Sequence, residues 1–170
     1  MYDNTCKYLA ETYPADFAAW LLGKPIRLTT LEPTALSLDP IRADSLTFLE
    51  SQAVVLHLEF QTRPDPSIPF QMADYYLRLY RKYPQRRIEQ FVLYLLPSAN
   101  PLVKQTTFEQ ENLRHRFNVI RLWEQPVTPF FQHPGLMPLA VLAKAPNPVQ
   151  TLQQVAQQID QISDRNQQRN

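Results

Sequence analysis

Between positions 54 and 61 the chain reads Val-Val-Leu-His-Leu-Glu-Phe-Gln, so Leu56, Leu58 and Phe60 alternate with His57, Glu59 and Gln61. A period of two is the signature of a strand with unlike faces, here one apolar and one polar. A second strand candidate occupies 44–49, and the polar link Glu50-Ser51-Gln52-Ala53 joins the two. Closed as a four-residue hairpin, that link sets Leu49 opposite Val54, Asp44 opposite Glu59 and Arg42 opposite Gln61. Opposed Cβ atoms on paired strands are roughly 5 Å apart. Two carboxylates at that distance repel unless something positive lies between them. A divalent cation is one candidate, because carboxylate oxygens are ligands of Mg²⁺; a plain pair of acids at the wet edge of a hairpin is the other.

Helical spacing appears on either side of this pair. Asp3, Lys7 and Glu11 recur every fourth residue and share a face, beside an apolar face of Tyr2, Cys6, Leu9 and Tyr13. Pro14 suits the first position of a second short helix that buries Phe17, Trp20 and Leu21 and stops at Gly23. A helix over 70–83 offers Ala73, Leu77 and Tyr80 to the core. The unbroken apolar run 91–96 reads as an interior strand. Strands over 105–109 and 117–123 follow as a pair, linked by the charged stretch 110–116. Pro126, Pro129, Pro134 and Pro138 then break up an aromatic-rich segment that wraps the core. Positions 150–170 hold eight glutamines, with Leu152, Val155, Ile159 and Ile162 at helical spacing. That pattern is an amphipathic helix which docks on the domain or pairs with a second copy in a homodimer, its last residues fraying. The expected division is a domain over 1–147 and a Gln-rich helix and tail over 148–170.

Composition narrows the partners. A chain of 170 residues with 44% hydrophobic and 11% aromatic residues supports one domain with a real core. Its net charge of +1 gives no global attraction for nucleic acid, so any DNA affinity comes from a local patch. Arg78, Arg81, Lys82, Arg86 and Arg87 form the best patch, with no acid between positions 78 and 87. Tyr75, Tyr76 and Tyr83 are interleaved with it, to stack on bases or to fill the helix–sheet interface; an ordinary solvated helix face is the plainer alternative.

The single Cys6 excludes an internal disulfide and a cysteine zinc cluster, and suits a reducing compartment. No apolar run approaches the ~20 residues of a membrane helix, so a soluble, cytoplasmic protein with no membrane partner is expected. With only Gly23 and Gly135 there is no phosphate-cradling loop, dinucleotide fingerprint or nucleophile elbow. His57, His115 and His133 are scattered, without a helical metal pair. His57 shares the face of Glu59, either to position water or as a hydrogen-bonded structural histidine.

The ordered set of motifs resembles the PD-(D/E)XK nuclease superfamily, most nearly the recombination-promoting nuclease and putative transposase lineage in its cyanobacterial-type form. The residues carrying the resemblance are Tyr2-Asp3-Asn4-Thr5-Cys6-Lys7-Tyr8-Leu9-Ala10-Glu11, Pro40-Ile41-Arg42-Ala43-Asp44-Ser45, His57-Leu58-Glu59-Phe60-Gln61-Thr62-Arg63 and Met72-Ala73-Asp74-Tyr75. They span roughly the first half of the chain. The resemblance implies an α/β fold with a restriction-endonuclease-like core, a mixed central sheet flanked by helices. It further implies that Asp44, Glu59 and the main-chain carbonyl of Phe60 bind Mg²⁺, with Mn²⁺ as a substitute, for hydrolysis of DNA phosphodiesters. Asp3 or Glu11 would be an additional acid and Lys7 would lie near the phosphate. Relatives often continue into a further C-terminal region, so by that resemblance the chain looks short: a natural short form, a truncated relic or a designed sequence.

Gln61 stands where the superfamily pattern has lysine, and a neutral amide replaces a fixed positive charge. Arg42 is a candidate to supply that charge; a surface arginine capping the strand entrance is the plainer alternative. Two function classes follow: an active endonuclease, or a catalytically inactive member that binds nucleic acid or a protein partner. Nothing in the sequence separates DNA from RNA.

Overall fold

The computed structural model describes residues 2–31 and 46–167. Asp44 and Arg42 lie outside the described residues, as does the start of the strand expected over 44–49. Five strands form one mixed sheet in the order β1 (Thr29–Leu31), β2 (Leu46–Glu50), β3 (Val54–Gln61), β4 (Arg87–Tyr94) and β7 (Asn118–Arg121). The first three are antiparallel neighbours, whereas β3, β4 and β7 run parallel. The parallel step from β3 to β4 needs a crossover, and helix α3 (Ile68–Lys82) supplies it. Mixed α/β architecture with helices on the sheet is therefore as expected.

The β2–β3 turn is tighter than a four-residue link. Ser51 N–H donates to the Val54 carbonyl at 2.9 Å, while Ser51 Oγ accepts from the amides of Ala53 (3.3 Å) and Val54 (3.1 Å). The serine side chain thus closes the turn, Glu50 remains in β2 opposite Val55, and Leu46 lies opposite Glu59. The hairpin count that set Asp44 against Glu59 and Arg42 against Gln61 is displaced by two positions over the described pairs.

One layer is the main core. Leu56, Leu58 and Phe60 of β3, Phe91 and Leu93 of β4, and Leu95 just beyond it are buried there. Helix α1 (Tyr2–Thr12) brings Cys6, Leu9 and Ala10, and α2 (Pro14–Leu22) brings Phe17 and Ala18. Pro14 begins α2 and Gly23 ends it in the left-handed conformation at φ 71°. The proline-rich segment does wrap this core: Phe130 of α4 (Thr128–Phe131) and Leu136, Leu139 and Ala140 are buried there. Helix α5 (Pro148–Gln167) docks by Thr151 and Val155, while Leu152 and Ile159 of the expected stripe stay exposed.

Helix α3 covers the other layer. Its buried stripe is Ile68, Met72, Tyr75 and Leu79, with Ala73 beside it. Leu77 and Tyr80, expected in the core, are 52% and 51% exposed. The helix starts two residues earlier than its periodicity suggested, and including Ile68 selects a different i, i+4, i+7, i+11 stripe. The charged stretch 110–116 is not merely a link either. It contains β6 (Leu113–Arg116), which pairs with β5 (Thr107–Gln110) as a separate two-stranded sheet. Glu111 makes that turn possible by taking a positive φ of 43°.

Gly135 locks α2 to the wrapping segment. Its amide donates to Asp16 Oδ2 at 2.9 Å, and a Cβ built on it would lie 2.2 Å from Tyr13 Cβ. No rotamer change relieves that clash. Gly135→Ala should destabilise the fold by ~1–3 kcal/mol, read as a lower urea midpoint at unchanged slope; an unchanged midpoint would show that this close approach is not required.

Candidate functional site

Strand β3 carries His57, Glu59 and Gln61 on one face, and the structure keeps them together. Because β3 is interior and α3 lies over it, this polar face is not wet: His57 is fully buried and Glu59 is 2% exposed. The half-buried strand expected from alternation is buried on both sides. Gln61 Nε2 donates to Glu59 Oε1 at 2.7 Å, so the Gln61 amide holds the carboxylate directly. His57 Nε2 lies 4.0 Å from Glu59 Oε2, beyond hydrogen-bond range.

His57 is a hydrogen-bonded histidine, and its partner comes from β4. Gln90, directly across in the β3–β4 register, places Nε2 2.8 Å from His57 Nδ1 and 2.9 Å from the Met72 carbonyl of α3. Its Oε1 is 2.6 Å from His115 Nε2 on β6. A carbonyl only accepts, so the Met72 contact identifies the Gln90 nitrogen as the donor end. His57 Nδ1 must then accept, and His115 Nε2 must donate. Burial, helped by His115, pushes the His57 pKa down to about 3, and burial also lowers that of His115. Rings of Phe48 and Tyr75 pack on His57 with centroids at 4.8 and 5.2 Å.

At the carboxyl ends of the parallel strands, Gln61, Tyr94 and Arg121 form one register row. Tyr94 is buried, and desolvation followed by the charges of Asp65 and Glu59 raises its pKa. Arg121 bonds the Val103 carbonyl at 3.2 Å and pairs with Glu124 at 2.8 Å. Sequence reasoning missed Gln90, Tyr94, Asp65, His115 and Arg121. A strand-to-strand register was the only signal that could have found the first two.

Lys7 and Glu11 ride on α1, which packs on the Leu56/Leu58/Phe60 side of the sheet rather than the Glu59 side. Asp3 falls within α1. Phe60 buries its ring in the main core and can serve a cation only through its main-chain carbonyl. Among the described residues, no three His, Cys, Asp or Glu side chains assemble as a ready metal cluster.

The basic patch is largely paired. Arg78 holds Asp74 through Nη2 (2.8 Å) and Nε (3.1 Å), and Arg87 Nε holds Glu89 at 3.1 Å. Arg86 bonds Glu50 and lies 4.2 Å over the Tyr83 ring, where Lys82 also sits at 5.4 Å; Arg81 is exposed. Of the interleaved tyrosines Tyr75 is core, whereas Tyr76 stacks on Tyr80 at 6.4 Å. No helix among the described residues is long and apolar enough to cross a membrane. No family model, curated protein or solved structure matches the chain.

A neutral histidine sealed in the fold makes stability depend on pH with a definite sign. The unfolded chain binds the His57 proton with a pKa near 6.5 and the folded chain only near 3, so acid favours unfolding. This contribution is complete above pH 6.5 and is lost as pH falls toward about 3. Between pH 6.5 and about 5, where carboxylates stay ionised, the parent in EDTA should lose up to about 2 kcal/mol by urea denaturation. His57→Phe should flatten that loss; equal slopes in the two proteins would contradict a buried neutral His57.

Proposed function

We propose that this chain is a metal-dependent DNA endonuclease of the PD-(D/E)XK type, in the recombination-promoting and putative transposase lineage. The observation that carries the reading is the buried Glu59 carboxylate near the carboxyl end of β3, gripped by Gln61 two residues on. Its setting supports the same reading: a mixed sheet in which two helices precede three antiparallel strands, followed by a crossover helix and a strand parallel to the third.

The donor chemistry fits a hard cation, since Glu59 and the Phe60 carbonyl offer only oxygen. With Asp44 they would hold Mg²⁺ or Mn²⁺. Bound there, the ion would supply polarisation of a phosphoryl oxygen and acidification of a water. The chain's own groups do the rest. Gln61 fixes the orientation of Glu59, the α3 layer keeps bulk water from the carboxylate, and Tyr94 offers a phenol that stays protonated at neutral pH. Arg81, exposed on α3, would meet the DNA backbone, and the reading puts the protein in a reducing cytoplasm.

A second reading, an inactive member that binds nucleic acid or protein, draws support from two contacts. The Gln61 amide is turned onto Glu59, and Asp74, Glu50 and Glu89 neutralise Arg78, Arg86 and Arg87. Nicking of supercoiled plasmid separates the two. The endonuclease should cut with Mg²⁺ or Mn²⁺, stop in EDTA, and lose at least ~100-fold in rate in Asp44→Ala and in Glu59→Ala. A parent that never cuts, or variants that cut equally well, would leave the binding reading in its place.

A further inference from the structure

His57 Nε2 is a buried polar atom with no hydrogen-bond partner, and it lies 4.0 Å from Glu59 Oε2. Leaving such a group unmet costs about 1–3 kcal/mol, so a position that retains one invites a use. The protonation of that atom is not left to chance. Gln90 must donate to the Met72 carbonyl, its second N–H therefore meets His57 Nδ1, and the His57 proton is forced onto Nε2. His115 completes the chain by donating to Gln90 Oε1. Three groups away from the carboxylate thus decide that a donor, not a lone pair, faces it.

We propose that His57 is the positioning residue of this site, its Nε2–H closing on Glu59 to hold the carboxylate in the orientation that binds a divalent cation. The inference rests on the reading of Glu59 as a cation ligand and adds what orients it. The last torsion of a glutamate is broad, so a modest turn of the carboxylate brings Oε2 from 4.0 Å into bonding range. Meanwhile Gln61 holds Oε1 from the other side. A ligating carboxylate gripped by outer donors is the usual way a protein tunes such a site, and losing one grip typically weakens metal affinity ~10–100-fold.

The test pairs a spectrum of the parent with cation titrations. A long-range ¹H–¹⁵N correlation spectrum at neutral pH should show His57 protonated at Nε2 and bare at Nδ1, without any metal present. Mn²⁺ affinity, read by electron paramagnetic resonance in the absence of DNA, should fall ~10–100-fold in His57→Phe, which keeps the ring among Phe48 and Tyr75. His57→Gln, whose amide nitrogen reaches the Nε2 position, should restore it to within about threefold, a rescue that a purely structural role would not produce. A Nδ1–H tautomer, or equal Mn²⁺ affinity in parent and His57→Phe, overturns the proposal while leaving the cation site standing. A parent that binds no Mn²⁺ yet shows the Nε2–H tautomer overturns the cation reading itself, and the proposal with it.

Discussion

Covering both faces of β3 and β4 makes an unmet polar group on those strands costly, and Gln90 supplies partners on four elements. Its amide joins the Met72 carbonyl of α3, His57 of β3 and His115 of β6, while its main-chain carbonyl accepts from Asn118 of β7 at 3.1 Å. Each of these contacts spares a buried group a penalty of about 1–3 kcal/mol. The apolar packing under α3 is divided accordingly. Leu31, Phe48, Val55, Tyr75 and Leu79 form one cluster, and Ile68, Met72, Val92, Tyr94, Val103 and Phe117 form another. The histidine–glutamine–glutamate group lies on the sheet face that both clusters share. A hydrophobic substitution at Gln90 would strand two imidazoles and a carbonyl at once, which is why this polar group is structurally demanding as well as chemically suggestive.

That arrangement gives Glu59 its character. An acid at the wet edge of a hairpin is a solvated charge with no consequence. The same acid under α3, held by Gln61 and facing a histidine nitrogen with no other partner, is a group whose orientation is controlled. The basic residues were the sequence's candidate for DNA contact, yet most of their charge is spent on neighbours. Arg86 ties β2 to the end of α3 through Glu50 and Tyr83, and Arg78 braces one turn of α3 through Asp74. The proposed hydrolase reading rests on the carboxylate end of β3, not on the positive surface.

Much of the fold was legible in the residues. Alternation over 54–61 fixed β3 to the residue, Pro14 and Gly23 bounded α2, and the apolar run beginning at Phe91 marked a central strand. Three features were not. The β2–β3 register depended on whether Ser51 used its side chain to close the turn, and a hydroxyl serving in place of a main-chain carbonyl leaves no trace in a hydrophobic pattern. The face of α3 depended on where the helix began, and Pro69 hid Ile68 from the periodicity. Burial of His57 and Glu59 depended on a crossover helix landing on the polar side of β3, a tertiary fact that no local window contains. Candidate residues within one strand were therefore readable, whereas the partners that make them a site, Gln90 and His115, belong to strands 33 and 25 positions apart in their hydrogen bonds.

The central claim is that Glu59 is a buried cation ligand whose setting was built around it. Crystals of the parent equilibrated with Mn²⁺ and measured at the manganese absorption edge address it most directly. The account predicts an anomalous peak within coordination distance, roughly 2.0–2.3 Å, of a Glu59 carboxylate oxygen, with His57 Nε2 now hydrogen-bonded to that carboxylate. An empty map at Glu59, with the carboxylate unmoved and His57 Nε2 still unmet, would contradict it.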